Sequence, residues 1–372
     1  MRVLIISVTA GYGHNSTARA IADELESRGV DVVVEDLLYQ FSQSLFGIVD
    51  KGYVFSVKHL RRPYQTAYST LISNERMRRI VSAFSINDII AHRFAGYISE
   101  FMPDVIVTTH VFAAQVINSL KVHGLLKMPV IGILTDYCIH PFWEEVGEID
   151  GIVTSSELLS YAAAKRGIAP ELLLPLGIPV RSAFLNTISK DEAKYQLGLD
   201  PSKRVILVMG GSMGYGNILS AVQSIDSLGM DLQIICICGK NEKLRQRLHY
   251  LKTQKEVLIR GFVDNVELYM DAADCIITKP GGLTITEVMC KELPMILMDP
   301  IPGHEVLNME FLTNNGAAMS VGKSFSVAEA VYYLFSNPKR LELMRESIKL
   351  ISKPRATQMV CDTIIDMKGN QQ

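Results

Sequence analysis

The chain lacks any apolar run long enough to cross a bilayer. A spanning helix takes about 20 consecutive apolar residues, whereas the runs here, such as 3–6, 130–134, 234–238 and 295–298, are strand-sized. Charge of one sign is also lacking: 37 Lys and Arg stand against 39 Asp and Glu, a net −2. So even a balance gives no global attraction to nucleic acid, and no nucleic-acid partner is expected. Charged residues make up 20% and hydrophobic ones 48% of 372 positions, with a mean hydropathy of +0.19. That is too oily for a disordered chain. Zinc-type patterns are missing, because the six cysteines include no CxxC pair and no His/Cys cluster of ligand spacing. Cys236 and Cys238 share one face of a strand-like run and read as small core residues. The N-terminus reads as strand from Arg2, so no signal peptide is expected and the cysteine usage fits the cytoplasm. An apolar chain of this length without a spanning helix predicts two domains, each with an ample core.

What is present is an alternation of short apolar runs and helical segments. Strands are expected at 2–8, 30–36, 104–110, 129–136, 151–156 and 172–178, with a helix at 15–29. A second series follows at 204–211, 232–239, 256–262, 275–281 and 294–300. Continuous β-branched runs between helices imply parallel sheets covered on both faces. The fold class is therefore α/β, with two doubly wound Rossmann-like domains. The expected boundaries are 1–178, 179–353 and a C-terminal helix at 354–372 that packs back on the N-terminal domain. A short helix ending near Gly198 connects the halves. Residues 37–100 interrupt the first series and contain no strong strand.

Open α/β sheets bind ligands at the carboxyl ends of their strands, near helix N-termini. The first such loop, 9–16, has Gly11, Gly13 and Ser16 in a GxGxxG-like spacing, and Asp36 closes the second strand. A dinucleotide site is one reading. Against it, His14 stands where the helix starts and would crowd a pyrophosphate. A helix N-terminus lowers a histidine pKa, leaving a neutral imidazole able to accept a proton. The plain alternative is a histidine that caps or packs at the turn. The loop 210–216 carries four glycines and no Lys-Ser/Thr pair, so it is not a Walker loop but can bring backbone N–H groups close to a diphosphate. In the loop 279–287, Lys279, Gly281, Gly282, Leu283 and Thr284 lead to Glu287, which is placed to accept from a ribose diol or simply to favour the first helical turn. His304, Glu305 and Asn308 fall at i, i+1 and i+4 and can present polar groups to a sugar. Gly261, Phe262 and Val263 end a strand whose backbone can pair with a nucleobase. In the first domain Asp136 ends a strand, and Trp143, the only tryptophan, is either core or a wall near the acceptor.

These loops, in this order, resemble the diacylglycerol glycosyltransferases: the monogalactosyldiacylglycerol synthases and the processive diacylglycerol β-glucosyltransferases. The family shares a GT-B fold with the N-acetylglucosaminyltransferase that makes lipid II, two Rossmann-like domains facing across a cleft. The segments that carry the resemblance are 11–21, 135–145, 210–214, 261–265, 279–287 and 302–308, and it extends over nearly the whole chain. Two departures stand out. Tyr12 breaks the family's glycine loop, and His304 stands where Gln is common. The resemblance implies an inverting transfer of a hexose from UDP-glucose or UDP-galactose to diacylglycerol, without a bound cofactor or metal. It makes His14 and Asp136 the candidates for general base, with Asp136 slightly preferred and the reverse open. The donor would be held by Gly211, Ser212, Met213 and Gly214 at the diphosphate, Phe262 and Val263 at the uracil, Glu287 at the ribose and His304 near the sugar. Gly13, Pro141 and Trp143 would lie on the acceptor side.

Residues 37–100 then acquire a reading. Eight basic residues, among them Arg61, Arg62, Arg78 and Arg79, face four acidic ones, with aromatics interleaved. Such a segment suits an anionic membrane surface, where each basic residue contributes roughly 1 kcal/mol; its plain alternative is a solvated helical insertion. A peripheral enzyme on the inner face of the cell membrane is expected, and the oligomeric state is left open. The rival readings are a transferase with a polyprenyl or other lipid acceptor, a non-catalytic nucleotide-sugar-binding protein and, least favoured, a dehydrogenase.

Overall fold

The computed structural model describes residues 1–9, 12–37, 39 and 86–369. Contacts divide the chain into two compact units. The first is Met1–Arg181 with Ile301–His304 and Lys353–Gln372; the second is Ser182–Pro300 with Glu305–Ser352.

The first unit runs β1 (Arg2–Ser7), α1 (Tyr12–Ser27), β2 (Asp31–Asp36), α2 (Ile86–Phe101), β3 (Val105–Thr108), α3 (Val111–Val122), β4 (Val130–Ile133), β5 (Gly151–Val153), α4 (Ser160–Lys165) and β6 (Leu173–Leu174). Its sheet has the order β2-β1-β3-β4-β5-β6, with every pairing parallel. The apolar runs fall in these strands because both faces are covered: β3 and β4 are buried at every residue. β6 is much shorter than the run 172–178. Pro175 follows its two residues and has no N–H to extend the ladder. The segment 41–85, with Arg61, Arg62, Arg78 and Arg79, lies outside the described residues.

The second unit contains α5 (Lys190–Leu197), β7 (Arg204–Met209), α6 (Ile218–Asp226), β8 (Leu232–Ile237), α7 (Glu242–His249), β9 (Val257–Arg260), α8 (Val266–Ala272), β10 (Cys275–Thr278), α9 (Gly282–Cys290), β11 (Met295–Leu297), most of α10 (His304–Asn314), β12 (Ala318–Ser320), α11 (Val327–Phe335) and α12 (Pro338–Ile351). Its parallel sheet has the order β12-β11-β10-β7-β8-β9. The connecting helix α5 starts where Ser189 accepts from the Glu192 N–H and stops where Gly198 turns left-handed at φ 71°. β12 has no apolar run to announce it.

The chain then re-enters the first unit as α13 (Ala356–Gly369). Val360, Cys361 and Ile364 are fully buried in one core with Ala18, Ile21 and Leu25 of α1 and with Val105, Val107 and Ile131 of the sheet. The exit and return of the chain run side by side. The Thr357 hydroxyl donates to the Val180 carbonyl at 2.7 Å and accepts from the Val180 N–H at 3.0 Å. Gly177 is needed there, since a Cβ would fall 2.5 Å from that of Lys353. Replacing Ile364 by Ala removes a buried side chain from a core that cannot collapse around the gap. Urea unfolding of the first unit should then lose about 2–5 kcal/mol.

Candidate functional site

In an open α/β sheet the ligand crevice opens where the strand order reverses. In the first sheet that point lies between β1 and β3. The loop after β1 delivers His14 on the first turn of α1, and the loop after β3 delivers Thr109 and His110. His14 Nδ1 is 2.6 Å from the Thr109 carbonyl and 3.2 Å from the Thr135 hydroxyl. A carbonyl can only accept, so Nδ1 carries the proton and Nε2 keeps its lone pair.

Two more histidines stand nearby in the opposite tautomer. His110 is the N-cap of α3, its Nδ1 accepting from the Phe112 N–H at 3.1 Å. His140 caps a 3-10 turn, Pro141–Glu145, its Nδ1 accepting from the Phe142 N–H at 3.3 Å. The His14 and His110 rings meet edge to face, 4.5 Å between centroids at 70°.

Burial holds all three below the usual histidine range. For His14 it outweighs the Thr109 bond and the Asp136 charge, which both pull upward. His110 lies well below its ordinary value, through burial and then the neighbouring His14, His140 and His304. His140 is lowered to about 4 by burial, then by His304. Asp136 is half-buried just beyond β4, and its backbone carbonyl accepts from Ser155 Oγ at 2.9 Å.

Other residues of this unit take different places. Asp36, the acid of the dinucleotide-like pattern, accepts from Thr9 N–H at 2.7 Å and from the Thr9 hydroxyl at 2.6 Å. Asn15 donates to that hydroxyl and takes a bond from Ser7. Asp36 thus holds the β1–α1 loop. Gly13 is helical, within α1. Pro141 is buried, and Trp143 is only 4% exposed, its ring packed so close to β4 that a Cβ on Gly132 would be 2.6 Å away. The indole therefore belongs to the core and is not a surface wall.

In the second sheet the order reverses between β7 and β10. The loop after β7 carries Gly211, Ser212, Met213 and Gly214; Gly211 and Gly214 have φ of 67° and 59°. A Cβ on Gly214 would fall 2.0 Å from the Cys238 carbonyl. That close approach interlocks the loop with the one after β8, where Lys240 N–H donates to Ser212 at 2.8 Å and Asn241 Nδ2 to Gly214 at 3.0 Å. Asp299, at φ 49°, accepts from the Asn217 N–H at 2.6 Å and closes the far end of the same loop. Sequence reading passed over Lys240, Asn241 and Asp299. Their signal was weak: a Gly-Lys-Asn after a strand, and an Asp before a proline.

The loop after β10 brings Lys279 beside Gly211, whose Cβ would meet Lys279 Cε at 3.3 Å. Lys279 is ion-paired with Glu305, whose side chain is 3% exposed. Gly281 starts α9 without a side-chain cap, with Gly282, Leu283 and Thr284 in the first turn and the partly buried Glu287 one turn on. Phe262 stands 48% exposed after β9, next to Val263, with the Lys240 ammonium 5.7 Å above its ring. The set 304–308 does not act as one outward face. Asn308 is fully buried and donates to the Pro280 carbonyl at 3.1 Å, Glu305 is buried against Lys279, and His304 falls with the first unit.

Two Rossmann-like units with these loops define a glycosyltransferase of the GT-B fold, and solved structures share it. MurG from Acinetobacter baumannii superposes with a TM-score of 0.65 at 16% identity, covering 98% of this chain and 99% of that one. Anabaena HepE in complex with UDP-glucose does so at 0.59 and 14%, covering 98% and 100%. The family model for monogalactosyldiacylglycerol synthase matches residues 14–180, and that for the glycosyltransferase family 28 C-terminal domain matches 205–359. Processive diacylglycerol beta-glucosyltransferases of Bacillus cereus and Bacillus pumilus are 28% identical over 98% of this chain and 93–94% of their own length. The chain is thus similar in its first part to the monogalactosyldiacylglycerol synthases and in its second to the C-terminal domain of family 28 glycosyltransferases.

The His140 shift makes stability depend on pH. A group depressed to about 4 from 6.5 folds neutral. Its contribution is complete above 6.5 and is lost as pH falls toward 4, because the unfolded chain binds the proton first. Between pH 7.5 and 5 this removes roughly 2 kcal/mol. His140→Asn keeps a capping side chain and should flatten the decline in urea stability by that amount.

Proposed function

We propose that this chain moves a hexose from a UDP-sugar to the hydroxyl of diacylglycerol, inverting the anomeric carbon, at the inner surface of the cell membrane. The observation that carries the donor half is at the β7/β10 reversal: a glycine loop backed by Asn241 and Asp299 beside the uncapped start of α9. Backbone N–H groups and the helix dipole there suit a diphosphate. Lys279, beside Gly211 and ion-paired with Glu305, offers ammonium N–H donors on this side. Phe262 and Val263 receive the uracil and Glu287 the ribose diol. Asn308 fixes the Pro280 turn in the loop after β10. The names of the bacterial relatives support the acceptor.

The acceptor oxygen attacks the anomeric carbon, the bond to the diphosphate breaks, and UDP leaves with its electron pair. The acceptor proton goes to His14 Nε2. This reverses the slight preference for Asp136, because the Thr109 carbonyl fixes the His14 proton on Nδ1 and leaves Nε2 as the basic atom. Asp136, whose charge pulls the His14 pKa upward, stabilises the imidazolium. General-base assistance of this kind is worth ~10²–10⁴-fold.

The test is purified enzyme with labelled UDP-glucose or UDP-galactose and vesicles carrying diacylglycerol or a polyprenyl phosphate, with the product lipid identified by mass spectrometry. A glycosyl-diacylglycerol is expected. A product on the polyprenyl lipid alone moves the chain to that acceptor class, and UDP binding without any product makes it a sensor. His14→Ala and Asp136→Ala should each lower kcat by ~10²-fold or more with UDP affinity retained, whereas Glu287→Ala should weaken UDP about 10-fold. Since His14 lies below 6.5, kcat/KM should be full at pH 7 and fall only at more acidic pH. A limb that persists in His14→Ala but vanishes in Asp136→Asn returns the base to Asp136.

No helix of the described residues is long and apolar enough to cross a membrane. Membrane attachment is assigned to the basic, aromatic segment 37–100. Flotation on vesicles with anionic lipid should drop on neutralising Arg61/Arg62 and Arg78/Arg79 together, and binding that ignores anionic lipid would exclude this surface.

A further inference from the structure

Thr109 and His110 together enclose His14. The Thr109 carbonyl takes the His14 Nδ1 proton, and the next residue lays its ring against the His14 ring. His110 cannot itself be a base. Its Nδ1 lone pair already accepts the Phe112 N–H, so a proton there would set N–H against N–H and break the cap of α3. Its backbone, at φ −137° and ψ 139°, is the extended form an N-cap requires.

Capping alone does not explain a histidine here. Ser, Thr, Asp and Asn cap helices best, and imidazole is outside that set. What imidazole adds is a flat, rigid ring that stays neutral, next to a histidine whose Nε2 is basic. A smaller capping residue would leave His14 room to rotate about its side-chain bonds. Rotation that loosened the Thr109 bond would leave Nδ1 with the Thr135 hydroxyl, already 3.2 Å away, which can donate as well as accept and so fixes no tautomer.

We infer that His110 is a positioning residue: pinned by the α3 cap, its ring locks His14 in the single orientation and tautomer that offers Nε2 to the acceptor hydroxyl. The groups that act on His14 from the surrounding elements are Thr109 and His110 after β3, Thr135 and Asp136 after β4, and His304. His110 meets the ring edge to face, 4.5 Å between centroids. The inference rests on reading His14 as the proton acceptor, and its test has an arm that does not depend on turnover.

The experiment uses the full chain labelled with ¹⁵N-histidine, His14 being assigned by its loss in His14→Gln. Long-range ¹⁵N–¹H spectra should show His14 protonated at Nδ1 and His110 at Nε2 in the wild type. His110→Asn and His110→Ser both keep a capping side chain. In each, the His14 signals should move toward a tautomer average and its titration should rise toward 6.5 as the ring cover is lost. In the transfer assay kcat should fall roughly 10- to 100-fold with the KM for UDP-sugar unchanged, since misorientation of a reacting group costs on this scale. The acid limb of kcat/KM should move up with the His14 titration. Unchanged His14 tautomer and titration in both variants, with kcat within twofold, would reduce His110 to a helix cap. A wild-type His14 protonated at Nε2 overturns the inference outright. Absence of glycosyl transfer by the wild type defeats the proposed function instead, and the spectra still decide whether His110 fixes His14.

Discussion

Chemistry in this chain is located by one constraint: a parallel sheet must be covered on both faces, and only its strand ends stay open. All strands of a sheet point the same way, so the loops that follow them gather along one edge. Where the strand order reverses, neighbouring loops diverge and a ligand can enter. That reversal puts His14 against Thr109, 95 residues away in sequence. In the second unit it puts the loop after β7 next to the loop after β10, with Lys279 against Gly211.

Each of these loops is then fixed by a polar side chain aimed back into the protein. Asp36 holds Thr9, Asn241 holds Gly214, Asp299 holds Asn217, and Asn308 holds Pro280. None of the four needs to meet substrate to matter. Their hydrogen bonds set backbone that would otherwise reorganise on binding, and electrostatic stabilisation of a leaving group depends on dipoles already in place. The histidines follow the same logic in a different currency. Two have given their Nδ1 lone pairs to helix starts, and the third has given its Nδ1 proton to a carbonyl.

The parallel strands were readable because burial on both faces forces unbroken apolar runs, as at β1, β7 and β8. β12 was not, having three residues and no run, and β6 was cut short by Pro175. His14, Asp136 and the glycine loop stood out as local signals at strand ends. The relation of His14 to His110 did not, because it depends on β1 and β3 being neighbours, a fact of strand order with no local mark. The same holds for Lys279 with Glu305 and for Asp299 with Asn217. Trp143 misled for a simpler reason: one large amphipathic residue reads alike whether it fills a core beside Gly132 or lines a surface.

The Thr357–Val180 clip marks where the chain leaves the first unit and comes back. Everything between is made before the return. The core stripe formed by Val360, Cys361 and Ile364 therefore does not exist until α13 has been made. By then every residue of the second unit has been made. Domains generally fold as units during synthesis, so here the usual N-terminal-first order is inverted. The downstream unit can close on its own, while the upstream one waits with the inner face of α1 uncovered until α13 reaches it.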